Sequence, residues 1–119
     1  MNKKYIDKLI PKAMTELSKW SQNGVIDKKY QGYLASFGPS VISSGLLQTV
    51  MFYGGDNDKK RVNELLFKLI KDDIDSSHSS MVEMLNENNN YKNYTVKNKI
   101  LEANIACKLA IRTFELKEG

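Results

Sequence analysis

Acid–base or nucleophilic chemistry needs a nucleophile, a base and a group that orients the base, and few residues of this sequence qualify. There is one histidine, His78, and one cysteine, Cys107. His78 sits in the polar run Asp72-Asp73-Ile74-Asp75-Ser76-Ser77-His78-Ser79-Ser80, where an exposed side chain is expected. Cys107 lies among apolar residues at helical spacing and reads as a packed thiol. One cysteine excludes an internal disulfide, and a single histidine beside it leaves no zinc-ligand set. Asp56-Asn57-Asp58 offers three oxygen-bearing side chains but lacks the further ligands and the distal Glu of a calcium loop. No catalytic residue, no metal site and no cofactor are expected.

Positive charge is what remains to do work. The chain carries 18 Lys and Arg against 14 Asp and Glu, a net charge of +4 and a pI near 9.1. A Lys-, Asn- and Ile-rich composition raises a pI by itself, so placement counts for more than the total. Residues 1–61 hold ten basic and five acidic groups, residues 62–91 two and six, residues 92–119 six and three. The ends are basic and the middle acidic. At about 100° per residue, Lys4, Lys8, Lys12 and Lys19 fall within an arc of roughly 80° opposite an apolar stripe. Lys59-Lys60-Arg61 forms a second cluster at a helix start, where the dipole disfavours cations. A solvated lysine face is the plain reading, and a phosphate-binding ridge the functional one.

Helices must position these charges. Asn2 to Asn23 predicts the first, with Ile6, Ile10, Ala13, Leu17 and Trp20 on one side, and with Pro11 expected to kink it or to start a second one. Asp27 caps the next, which carries Tyr30, Tyr33, Leu34 and Phe37; tyrosines there suit a core or interface better than a stack of bases. Gly38-Pro39 then reads as a corner into an uncharged stretch. Val41, Ile42, Leu46, Leu47, Val50, Met51, Phe52 and Tyr53 wrap most of the way round that axis, so Pro39 to Tyr53 predicts a buried central helix. Gly45 within it suggests close approach by another backbone, and Gly54-Gly55 a left-handed stop.

Beyond it, Val62, Leu65, Leu66, Leu69 and Ile70 give a clean seam, with Glu64 and Lys68 spaced for an ion pair. Ser80 and Glu83 have capping-box spacing for a short fifth helix that ends in Asn86-Glu87-Asn88-Asn89-Asn90, a candidate mobile linker. A last helix from about Thr95 to Lys117 repeats Val96, Ile100, Ala103, Cys107, Ala110 and Phe114. Leu101, Ile105 and Leu109 lie off that seam beside Lys97, Lys108 and Arg112, which implies either a second packed face or a contact with another subunit; Leu101, Ile105, Leu109 and Arg112 are the candidate subunit interface. The expectation is an all-α single-domain bundle of about five to six helices over residues 1–119. No apolar run approaches the roughly 20 residues of a membrane span and no signal-peptide core is present, so a cytoplasmic protein is expected.

Tyr30 to Tyr33, Pro39, Ile42, Gly45-Leu46, Gln48 and Phe52 resemble the signature of the small helical subunit of type III-B (Cmr) CRISPR effector complexes. The resemblance implies a non-catalytic role in antiviral defence. It also implies several copies stacked with other Cmr-type subunits along a ribonucleoprotein, beside guide RNA and target RNA. For such a protein the two basic clusters nominate Lys8, Lys12, Lys19, Lys59, Lys60 and Arg61 as phosphate contacts, sequence-independent and salt-sensitive. The alternatives are the small subunit of a type III-A complex and a helical protein–protein adaptor that binds no nucleic acid.

Overall fold

The computed structural model describes residues 1–74 and 77–119. Asp75 and Ser76, part of the expected polar loop, lie outside the described residues. Among the described residues six α-helices are joined to one small sheet: α1 Lys3–Trp20, β1 Val25–Asp27, α2 Lys29–Ser44, α3 Leu46–Gly54, α4 Lys60–Ile70, α5 Met81–Asn86, α6 Tyr94–Ile111 and β2 Glu115–Lys117. The all-α expectation holds.

The first helix starts where Asn2 Oδ1 accepts from Tyr5 N at 3.1 Å. It runs through Pro11 without interruption and ends at Trp20, short of Asn23. Asn23 and Gly24 take positive φ, and the turn they make leads into β1. Ile6, Leu9, Ala13 and Leu17 pack on α6, whose Ile100, Ala103, Ala106, Cys107 and Ala110 line the same core. The small residues Ala103, Ala106 and Ala110 let the two axes approach closely.

The central stretch departs from expectation. Pro39 is not a corner; α2 continues through it to Ser44. The break comes at Gly45, whose φ of 96° and ψ of 157° are open to glycine and strained for other residues. A Cβ there would meet nothing within 4 Å, so the glycine serves backbone conformation and not close packing. Thr49 Oγ1 ties the break, donating to Gly45 O at 2.9 Å and lying 2.8 Å from Ser40 Oγ. Because the axis turns, α3 buries Leu46, Thr49, Val50 and Tyr53 in the core, with Leu47 partly covered beside them. Ile42, Met51 and Phe52 are 79%, 55% and 67% exposed, and Gln48 is exposed as well. The buried central helix is therefore two helices, each half-covered. Gly55 stops α3 with a φ of −81°, not a left-handed one.

Downstream, Asp56 Oδ1 accepts from the N–H groups of Asp58 and Lys59, both at 2.9 Å, ahead of α4. The backbone N–H of Lys59, then that of Asp58, hold its carboxyl below the usual range. Val62, Leu65, Leu66, Leu69 and Ile70 are all buried as the spacing predicts. Ser80 caps α5 by accepting from Glu83 N at 3.2 Å. The Asn-rich segment is a 3-10 turn, Glu87–Lys92, with Asn88 and Asn89 at positive φ and Asn90 Nδ2 donating to Met84 O at 2.9 Å.

The last helix stops at Ile111, six residues early. Thr113 Oγ1 donates to Ala110 O at 2.7 Å, and Glu115–Lys117 then pairs parallel to β1 in the register Val25↔Glu115, Ile26↔Leu116, Asp27↔Lys117. Ile26, 2% exposed, drives this closure by burying its side chain beneath the ladder. Three-residue strands carry too little alternation to read from sequence.

Candidate nucleic-acid interface

The exposed side of α1 carries Lys4, Lys8, Lys12 and Lys19, as its periodicity predicts. Pro11 leaves the ridge unbroken because the helix continues through it. On α4, steps of about 100° put Lys60, Lys71, Glu64, Lys68 and Arg61 into a single arc of roughly 100°. Lys59 falls outside that arc. The sequence cluster Lys59-Lys60-Arg61 is therefore divided, with Lys60 and Arg61 at opposite edges of the arc and Lys59 outside it.

Glu16 brings the two helices together. Lys68 Nζ donates to Glu16 Oε1 at 2.8 Å and Lys19 Nζ to Glu16 Oε2 at 3.0 Å, so one carboxylate of α1 holds a lysine from each helix. The Lys68 hydrogen bond, more than that of Lys19, keeps the Glu16 carboxyl below its ordinary value, and the same contact raises Lys68. The expected Glu64 to Lys68 pair gives way to this contact between helices.

At one end of the seam the Arg61 guanidinium stacks 4.4 Å from the Trp20 ring centroid and 5.1 Å from that of Tyr30, and it donates to Tyr30 Oη at 2.9 Å. At the other end Asp73 Oδ2 accepts from Tyr5 Oη at 2.8 Å and Asp73 Oδ1 pairs with Lys8 at 3.2 Å. Burial works to raise the Asp73 carboxyl, but the hydrogen bonds from Tyr5 and Lys8 prevail and lower it; burial and Asp73 together push the Tyr5 hydroxyl well up. Lys12 has no ion-pair partner among the described residues. Two rows of basic side chains thus lie side by side on adjacent helices, clipped at Glu16, Trp20 and Asp73.

The sequence reading took Lys68 only as a partner for Glu64 and did not single out Lys71, because their neighbours in the chain, Leu69, Ile70 and Asp72, mask them as part of a basic row. Lys59 turns toward the other side of the molecule, with Nζ 4.7 Å from the Phe52 centroid and 5.6 Å from that of Tyr33. Tyr33 is partly buried and Tyr30 5% exposed, so Tyr30 serves the core.

His78 is not an exposed loop residue. Its ring is 16% exposed, with Nδ1 3.1 Å from Glu83 Oε1 and Nε2 in contact with Glu87, so it ties its loop to α5 and to the 3-10 turn. Cys107 is fully buried in the core, and burial pushes its thiol well up, away from reactive thiolate. Among the described residues no group of His, Cys, Asp and Glu could hold a metal ion. Among the described residues no helix is long and apolar enough to cross a membrane.

Of the candidate interface on α6, Leu101 and Ile105 are partly buried against the core, while Leu109 is 42% exposed and Arg112 stands in solvent. Arg112 and Lys108 border a shallow cavity of about 340 Å³ shared with Lys28 and Gln31 of the α2 start.

Residues 7–113 match the family model described as CRISPR-associated protein (Cas_Cmr5). The chain belongs to that family. The family places it among the small subunits of the type III-B kind, not the type III-A kind, and implies association with other Cmr effector subunits. Comparison with curated proteins and with solved structures gives no match. The match takes in all of α2 to α6 and most of α1, so the Lys8, Lys12 and Lys19 row lies within the family's shared region.

Proposed function

We propose that the protein is a non-catalytic subunit that holds the RNA of a type III-B effector complex by phosphate contact, in the cytoplasm and in more than one copy. The observation that carries this reading is the pair of basic rows on α1 and α4, joined through Glu16. Lysine is suited to the task, since a phosphate backbone needs point charge and not bidentate base reading. The contact set is Lys8, Lys12 and Lys19 with Lys68; Lys60 and Lys71, on the edge of the α4 row away from α1, are not part of it. Arg61 adds charge from a fixed position, and Lys59 stands apart from them.

The test is charge reversal in the assembled complex. Lys8→Glu, Lys12→Glu and Lys19→Glu combined should weaken RNA retention and flatten its dependence on salt, by about 0.7 to 0.9 in log–log slope for each phosphate that is no longer neutralised. A variant that folds, assembles and keeps both affinity and slope removes this face from the RNA path.

A second reading, a protein–protein adaptor without nucleic acid, is favoured by the exposure of Ile42, Met51 and Phe52 in a stretch without charge. Under it, the triple reversal leaves RNA retention untouched while Phe52→Ser releases the subunit from its partners.

A further inference from the structure

The outer edge of the charged face of α4 borders a groove that the RNA reading does not use. It lies between α4 and the start of α5 and encloses about 380 Å³. Its α4 wall runs from Lys60 to the C-cap Lys71, eleven residue steps or about 16 Å along the helix. Phe67, Met81 and Val82 supply an apolar lining, Phe67 and Met81 being almost fully buried. Lys60 and Lys71 stand at the two ends, and neither has an ion-pair partner among the described residues. Glu64 lies between them, with Lys68 beside it held by Glu16.

A buried polar atom sets this groove apart from a plain apolar cleft. Asn63, 6% exposed, lines it and donates from Nδ2 to Val50 O at 2.9 Å, while its Oδ1 has no partner among the described residues. A buried acceptor left unpaired costs free energy that an incoming N–H or O–H recovers.

We infer that this groove docks a segment of a partner effector protein that carries an apolar side chain at its centre and carboxylates at both ends. The apolar lining selects a side chain over a phosphate backbone. The terminal lysines select acidic flanks, and their separation of about 16 Å matches some three helical turns of the partner. Family membership supplies the class of partner, since Cmr effector subunits associate with one another. The inference rests on Lys60, Lys71 and the apolar lining, whereas the RNA surface rests on Lys8, Lys12 and Lys19 with Lys68.

The experiment places the photo-crosslinker p-benzoylphenylalanine at Val82 in the effector complex assembled with its other subunits and RNA. After irradiation, mass spectrometry identifies the attached segment. The expected product is one protein segment with an apolar residue flanked on both sides by Asp or Glu. Lys60→Glu with Lys71→Glu should lower its yield about tenfold by setting like charges together. Both lysines are exposed, so the fold is spared, and circular dichroism checks that. Attachment to RNA, attachment to a lysine-flanked segment, no protein product, or a yield indifferent to the double reversal each overturns the inference. RNA retention measured on the same preparations with Lys8→Glu, Lys12→Glu and Lys19→Glu reports separately on the phosphate surface.

Discussion

Glu16 of α1 accepts a hydrogen bond from Lys68 of α4 at 2.8 Å and, on its second oxygen, one from Lys19 of its own helix. This carboxylate keeps two helices of like charge in register. Without it the lysine rows would repel each other across the seam.

That arrangement makes stability depend on pH in a defined window. The folded carboxyl of Glu16 titrates below its ordinary value of 4.5, chiefly because of Lys68, so the stabilisation is complete above that value and is lost as pH falls through the lowered one. Both lysines are more than half exposed, at 59% and 55%, so solvent screens the contact and holds it to about 0.5–1 kcal/mol. Glu16→Gln should lower stability by that amount at pH 7 and by progressively less toward pH 3. Urea unfolding at a series of pH values checks it. A Gln variant equally destabilised at pH 3 and pH 7 assigns the loss to packing instead.

Gly45→Ala isolates the cost of the helix break. The added Cβ has open space, so any loss of stability is backbone strain, about 1–3 kcal/mol for a residue held at a φ of 96° and a ψ of 157°. Denaturant unfolding of the two proteins measures it directly. A neutral result would mean that the chain at Gly45 relaxes into a continuous helix, and helix content by circular dichroism would then rise.

The contrast around Gly45 explains how much of the molecule was legible from sequence. Periodic apolar spacing located α1, α4 and the core face of α6 because those helices bury a continuous stripe: Ile6, Ala13 and Leu17; Val62, Leu65 and Leu69; Ile100, Ala103 and Cys107. The uncharged run misled because absence of charge does not imply burial. Ile42 and Phe52 are as apolar as Val41 and Val50, and only the turn at Gly45 decides which pair faces water. The lysine row of α1 was visible for the same periodic reason as its core face. Its partner on α4 was not, because Glu16 and Lys68 are distant in sequence and meet only when the helices pack antiparallel. The β1–β2 ladder joins residues ninety positions apart, beyond any local pattern.

Arg61 separates charge from stacking. Its guanidinium lies against Trp20 and Tyr30, a planar contact that an ammonium cannot reproduce. Arg61→Lys keeps the charge and should cost about 1 kcal/mol of stability. Trp20 is the sole tryptophan, so its fluorescence reports the change without a label. RNA retention by the folded variant should hold if Arg61 contributes only as one charge among several. A large loss of RNA with little change in Trp20 emission would make Arg61 a direct contact.

Lys8 and Lys12 lie one helical turn apart on the same row and differ in what already holds them. Lys8 is paired with Asp73 at 3.2 Å, whereas Lys12 reaches no carboxylate within ion-pair distance among the described residues. A phosphate meeting Lys8 must displace a hydrogen bond to Asp73, whereas one meeting Lys12 faces only the longer-range attraction of that carboxylate. Lys12→Ala should therefore reduce RNA retention more than Lys8→Ala, with the salt slope falling by about one unit, and leave stability within about 0.5 kcal/mol. Lys8→Ala should do the reverse. It removes one of the two hydrogen bonds that hold down the Asp73 carboxyl, so some of the stability that depends on that lowered carboxyl, full above its ordinary value of 3.8, disappears. Salt titration of RNA retention and urea unfolding of both variants give the two readouts. Equal losses of RNA from the two variants would show that Asp73 releases Lys8 when RNA arrives, and no loss from either would take the α1 row off the RNA path.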